Sequence, residues 1–227
     1  MLSKYFFVTG TDTNVGKTMM TASLLVALKR KRFSAVGIKP VASGCTMTAE
    51  GLRCSDALLL MEHNSITLPY HVVNPIAFET PVAPHFLSND LSSHTVVKSL
   101  QAIFTLQSDY CLLEGVGGWR VPLNATETMA DVARALPISV IMVVGLRLGC
   151  LNHALLTQEA ILNDGISIAG WIANCIDPAM LYVDQNIKTL EQRITAPLLG
   201  VVPYQSDINI ETIADCLEVL FCHPRVR

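Results

Sequence analysis

The residues best able to do chemistry lie near the start of the chain, in Gly10-Thr11-Asp12-Thr13-Asn14-Val15-Gly16-Lys17-Thr18. The apolar run Tyr5–Val8 precedes them and a stretch with helical apolar spacing follows, the strand-loop-helix setting that a phosphate-binding loop requires. Backbone N–H groups at the helix start would point at a β-phosphate. Lys17 would reach the β and γ oxygens, and the Thr18 hydroxyl would ligate Mg²⁺. The spacing is unusual, because five residues rather than four separate Gly10 from Gly16. Without a phosphate, the same loop would be a plain helix start capped by Thr11 or Thr13.

Other groups gain meaning from this loop. Asp109–Glu114 is an apolar run ending in a carboxylate, with Gly115, Gly117 and Gly118 behind it. A carboxylate at a strand tip beside a phosphate loop commonly reaches the magnesium; alone it reads equally well as the partner of a nearby base. Asp56 alone reads as an early-helix acid that complements the dipole. Lys39, in Lys39-Pro40-Val41-Ala42-Ser43-Gly44, could add a second ammonium over a transferring phosphoryl group, although spacing alone favours an ordinary solvated lysine. Arg147–His153 holds a glycine turn whose N–H groups could bind a carboxylate, or serve as a simple strand-to-helix connection. Asn174 follows a strand and carries an amide suited to an adenine edge.

The elements that must position these groups follow from periodicity. Buried strands are predicted at Tyr5–Val8, Ala35–Val41, Asp109–Glu114, Pro137–Val144, Ile168–Ala173 and Leu198–Val202. Helices are predicted at Lys17–Lys31, Ser55–Glu62 with Ser55 as N-cap, Leu151–Asn163, about Met180 to Arg193, and Asn209–Phe221. The stretch from Ile66 to Pro84 reads as irregular or as short pieces. Strands without alternating polarity, separated by helices, imply an α/β fold with a mostly parallel central sheet covered by helices on both faces. Ligands of such sheets bind beyond the carboxyl ends of the strands, where all the groups above fall.

Composition sets the outer limits. The chain has 227 residues and no linker, repeat or charge run, so a single domain over residues 1–227 is expected. A formal net charge of -3 gives no reason to propose nucleic acid or an anionic membrane as partner. Seven cysteines, none in a C-x-x-C pair, read as reduced core thiols of a cytoplasmic protein. The histidines have no metal-ligand spacing. The start of the chain has no signal-peptide pattern, and the longest apolar stretch is too short to span a bilayer.

Taken together, the stretches VTGTDTNVGKT (Val8–Thr18), GIKPVASG (Gly37–Gly44), EGLRCSDA (Glu50–Ala57), LEGVGGW (Leu113–Trp119), GCLNHALLT (Gly149–Thr157), AGWIAN (Ala169–Asn174) and APLLGVVP (Ala196–Pro203) resemble the dethiobiotin synthetase family. The resemblance covers nearly the whole chain. It implies a P-loop NTPase fold, a homodimer, and ATP- and Mg²⁺-dependent closure of a cyclic urea from 7,8-diaminopelargonate and CO₂ through a carbamate and a carbamic-phosphoric anhydride. By position it assigns Thr13, Lys17 and Lys39 to the carbamate and γ-phosphate, and Thr18, Asp56 and Glu114 to Mg²⁺. ATP would lie against Asn14, Val15, Gly16, Lys17, Thr18, Met19, Asp56, Glu114, Gly115, Val116, Gly117, Asn174, Cys175, Pro203, Tyr204 and Gln205. Ser43 would contact the diamine. Gly149, Cys150, Leu151 and Asn152 would hold its carboxylate from the neighbouring subunit.

Two departures stand out. Asn14 occupies a position where the resemblance implies Glu, and residues 179–186 match poorly, with Tyr182 the available aromatic. Three other readings compete. One is a regulatory P-loop ATPase of the partitioning or site-placement type, which would carry a signature lysine where this chain has Asp12. Another is a different amide- or carbamate-forming ligase on the same fold that acts on a larger acid, against which KPVASG and the short length argue. The last is an inactive nucleotide-binding paralogue.

Overall fold

The computed structural model describes residues 4–88, 90–207 and 209–219. In chain order the elements are β1 (Lys4–Gly10), α1 (Lys17–Arg30), β2 (Ala35–Ile38), β3 (Val41–Ala42), β4 (Thr46–Thr48), β5 (Gly51–Arg53), α2 (Ser55–His63), α3 (Tyr70–Val73), β6 (Ile76–Ala77) and α4 (Ser93–Ser99). They continue with β7 (Tyr110–Gly118), α5 (Met129–Arg134), β8 (Ser139–Leu146), α6 (Cys150–Asn163), β9 (Ile168–Cys175), α7 (Val183–Arg193), β10 (Leu198–Val202) and α8 (Ile210–Asp215). Short 3₁₀ turns occur at Pro84–Phe86 and Gln101–Thr105.

Six strands form one sheet in the order β10-β9-β8-β1-β7-β2, with every pair parallel. Because side chains alternate across a strand, successive apolar residues feed opposite faces. Phe7, Ile38, Leu113 and Met142 join a core with α5, α6 and α7 residues such as Met129, Ile161 and Leu190. Phe6, Val8, Leu112 and Ile141 join the other core, with Leu24, Leu25 and Leu28 of α1 and Ile213 of α8. This double burial is why the strands read as continuous apolar runs. Among the described residues no helix is long and apolar enough to cross a membrane, and the six described cysteines are free thiols. Cys222 lies outside the described residues.

The structure corrects several boundaries. β2 stops at Ile38, because the Lys39 N–H turns to the Val73 carbonyl (2.8 Å) and leaves the sheet. β7 runs four residues past Glu114, through a bulge that pairs Gly10 with Gly118 and uses a left-handed Gly117 (φ 61°). Ser55 is the first residue of α2, and Cys54 is its N-cap. α7 starts at Val183, after Tyr182 in a left-handed conformation (φ 56°). The last helix ends at Asp215, short of the expected Phe221, which lies outside the described residues. The stretch 66–84 forms short pieces, α3 and β6, as expected, and an unexpected two-stranded hairpin, β4–β5, precedes it.

Candidate active site

Strand β1 and helix α1 fix the loop 11–16. Gly16 caps α1 in a left-handed conformation (φ 88°) with no side-chain cap. The plain reading in which Thr11 or Thr13 caps the helix is therefore not what forms. A Cβ on Gly10 would fall 2.6 Å from Val15 Cγ2 and 2.8 Å from the Asp12 carbonyl, so the tight curl of the loop requires glycine there. Asn14 is also left-handed (φ 59°), a conformation that Asn tolerates better than Glu. Local backbone geometry thus gives a physical reason for this departure. Asp12 ties the loop down: its Oδ1 accepts the Thr13 N–H (2.7 Å), its carbonyl accepts Lys17 Nζ (3.1 Å), and its other carboxylate oxygen pairs with Arg147 after β8.

Facing the loop is a compact charged cluster. Lys39 Nζ lies 2.5 Å from Glu114 Oε1, 3.0 Å from Asp56 Oδ2 and 3.3 Å from the Gly115 carbonyl. The Thr18 hydroxyl donates to the same Glu114 oxygen at 2.7 Å. Glu114 is fully buried and Lys39 is 4% exposed. Lys39 is thus no solvated lysine. Burial acts to lower its pKa, but the Glu114 and Asp56 carboxylates outweigh that and hold it above the ordinary lysine value, fully charged. Lys17 goes the other way: burial first, then the nearby Lys39 charge, bring it down to about 8 against the opposing pull of Glu114, Asp56 and Asp12.

These groups line a cleft of about 680 Å³ whose walls also include Thr13, Asn14, Ser43, Ser55, Pro81 and Val116. A second cleft of about 360 Å³ shares Asn14, Gly16 and Met19 with the first. It is lined by Asn174, Cys175, Pro203, Tyr204 and Gln205, five of the residues that the resemblance assigns to ATP, together with Ile176. Asn174 Nδ2 donates to the Val15 carbonyl at 2.9 Å, which turns its amide oxygen into the group able to accept from a base amine. Val15 is buried (1% exposed) and presents that carbonyl to Asn174.

Not all expected residues converge. Gly149, Cys150, Leu151 and Asn152 line neither cleft. Gly149 caps α6 with φ 93°, while Cys150 is buried and its N–H is spent on the Arg147 carbonyl (3.0 Å). Tyr182 is 71% exposed and also lines neither cleft. Ser55, Leu59 and Pro81 line the first cleft without having been assigned to the site. Only Ser55 carried a signal, as the neighbour of Asp56.

The donor set suits a hard divalent cation. Glu114 Oε2 is buried and has no hydrogen-bond partner, and it sits in a group of oxygens from Thr18, Asp56 and Glu114. One or two carboxylates and a hydroxyl, completed by phosphate oxygens, is a set that Mg²⁺ accepts. Among the described residues no cluster of three or more His, Cys, Asp or Glu forms a metal site of protein ligands alone.

Comparison with known proteins fits this geometry. A family model described as an AAA domain matches residues 4–212. The ATP-dependent dethiobiotin synthetase of Cellvibrio japonicus is 49% identical over 96% of this chain and 97% of its own. That of Pseudomonas paraeruginosa is 47% identical over 94% of this chain and 96% of its own. Among solved structures, the MinC:MinD cell division protein complex of Aquifex aeolicus aligns with TM-score 0.59 over 93% of this chain and 86% of that one. Its identity of 16% makes that a likeness of fold alone. Identity near one half, sustained along almost the full length of both relatives, decides the matter: the chain belongs to the ATP-dependent dethiobiotin synthetase family, enzymes of biotin biosynthesis.

Proposed function

We propose that the cleft between the phosphate loop and the Lys39–Glu114–Asp56 cluster is where this enzyme builds the cyclic urea of dethiobiotin from 7,8-diaminopelargonate, CO₂ and ATP. One substrate amine adds to CO₂, giving a carbamate and releasing a proton. A carbamate oxygen attacks the γ-phosphorus of ATP, and ADP leaves. The second amine attacks the carbonyl carbon of the mixed anhydride, and phosphate leaves as the ring closes. The substrate supplies both nucleophiles, so the protein's task is positioning and charge stabilisation.

The observation that carries this reading is the pair of buried ammonium groups, Lys17 and Lys39, on the two sides of one cleft. They are set to hold three negative centres, the carbamate and the β- and γ-phosphates, and to stabilise charge spread over the transferring phosphoryl oxygens. Thr13 lies on the same wall and would orient the carbamate, and Ser43 would contact the diamine. Thr18, Asp56 and Glu114 would hold Mg²⁺, which when bound neutralises phosphate charge. The base would lie in the second cleft against Asn174, Cys175, Pro203, Tyr204 and Gln205, with the sugar and α-phosphate passing Gly16 and Met19. Val116 and Gly117 would close the far side of the phosphates.

Placement of Gly149–Asn152 outside the cleft supports a homodimer in which this helix start serves the neighbouring subunit's substrate carboxylate. Leu148 beside it is 95% exposed, an apolar residue that such an interface would cover. The reading also takes the protein to be cytoplasmic.

Oxygen transfer tests the route. In a single turnover with freshly mixed ¹⁸O-labelled CO₂, the carbamate route expects label from CO₂ in the released phosphate. Phosphate whose new oxygen comes only from water would mean simple hydrolysis and would overturn the route.

A further inference from the structure

Behind the charged cluster runs a second, mostly buried polar network that none of the site assignments includes. The Tyr70 hydroxyl accepts the Cys54 N–H at 2.7 Å and donates to Asn74 Oδ1 at 2.9 Å. Asn74 is 3% exposed, and its amide donates to the Lys39 carbonyl (2.7 Å) and the Ile76 carbonyl (3.2 Å). The backbone of the same short helix accepts the Lys39 N–H through the Val73 carbonyl at 2.8 Å. Cys54 is the N-cap of α2, two residues before Asp56. The Arg53 guanidinium covers the Tyr70 ring at 4.2 Å.

We infer that Tyr70 and Asn74 are positioning residues that fix Lys39 and Asp56 relative to each other. Lys39 leaves strand β2 just before Pro40 and so has no strand partner to hold its backbone; α3 and Asn74 take both its N–H and its carbonyl. Asp56 sits at the start of α2, whose first free N–H is taken by Tyr70. One hydroxyl therefore joins the two backbones whose side chains meet at 3.0 Å in the cleft. Asn74 has both a donor and an acceptor role filled, so the network tolerates one register only, as a satisfied buried network does. A shift of Lys39 of even an ångström would misplace its ammonium at the transferring group.

This inference rests on the proposed role of Lys39, and the test separates the two. Tyr70→Phe keeps the ring and removes the hydroxyl, leaving the Cys54 N–H and the Asn74 amide oxygen without it. The expected result is a fall in kcat of about tenfold, the order of the net worth of the two hydrogen bonds that the hydroxyl makes. ATP affinity, measured with a fluorescent analogue without diamine and without Mg²⁺, stays within about twofold, because the phosphate loop is untouched and Asp56 then has no metal to hold. In a Lys39→Ala background, Tyr70→Phe is expected to lower the residual rate no further, since it acts through Lys39. A Tyr70→Phe enzyme with wild-type kcat and only a lowered melting temperature would overturn the inference. So would full additivity with Lys39→Ala. Unaltered turnover in Lys39→Ala would instead overturn the proposed role of Lys39.

Discussion

Removing Lys39 gives the sharpest energetic test of the buried cluster. Lys39→Ala leaves Glu114, fully buried, with the Thr18 hydroxyl as its remaining short contact and with Oε2 still unpartnered. Breaking one side of a buried ion pair costs about 3–5 kcal/mol, because the surviving charge stays desolvated. Asp56 is 40% exposed in its side chain and adds little to this sum, since water screens it. For a chain of this size the loss corresponds to a melting temperature lower by roughly 6–20 °C. Urea unfolding followed by the buried Trp119 and Trp171 is a suitable assay. Adding Glu114→Gln to the variant removes the stranded charge and should recover a large part of the loss. Millimolar Mg²⁺ should also narrow the gap, if Glu114 is a metal ligand. A loss under about 1 kcal/mol, or a double variant no more stable than the single, would refute the reasoning, since the pair would then be solvated.

Four further outcomes are expected. Gly16→Ala forces an alanine into φ 88° and pushes its Cβ into the Asn174 amide, so ATP affinity should fall about five- to thirtyfold by fluorescence titration, on the order of the 1–2 kcal/mol that a left-handed residue costs. Lys17, lowered to about 8 by burial and then Lys39, binds fewer protons in the folded state than in the unfolded one between about pH 8 and 10.5. Stability should therefore rise with pH across that window. Above about pH 8, ATP binding should draw a proton back onto Lys17, read as buffer-dependent heat in calorimetry. Gly170→Ala sets a Cβ 2.5 Å from Leu199 Cγ, at the other end of the strand from Asn174, and should cost about 1–3 kcal/mol of stability by urea unfolding with kcat unchanged.

The sheet was legible because its strands are buried on both faces and carry short apolar runs bounded by turn residues, too short for buried helices. The phosphate loop was legible because Gly10, Gly16, Lys17 and Thr18 fall between such a strand and a helix. The wall of the cleft was not. β4 and β5 form an exposed to half-buried hairpin with no apolar alternation to announce it. Tyr70 and Asn74 form contacts set by tertiary placement, and nothing in their spacing points to Lys39. Lys39 itself looked solvated until β7 brought Glu114 against it, a pairing 75 residues apart in the chain. Two missed helices did leave signals: capping boxes at Ser92–Thr95 and Thr128–Asp131 mark the starts of α4 and α5.

The central claim is that ATP cleavage here is tied to a diamine that has captured CO₂. The most direct measurement is phosphate release from MgATP in bicarbonate-equilibrated buffer, with and without 7,8-diaminopelargonate, with the organic product weighed by mass spectrometry. The account expects phosphate only when the diamine is present, one dethiobiotin per phosphate, and collapse of both in Lys39→Ala. Phosphate release that ignores the diamine would contradict it and point to a switch ATPase, and no release at all would point to a chain that binds nucleotide without turning it over.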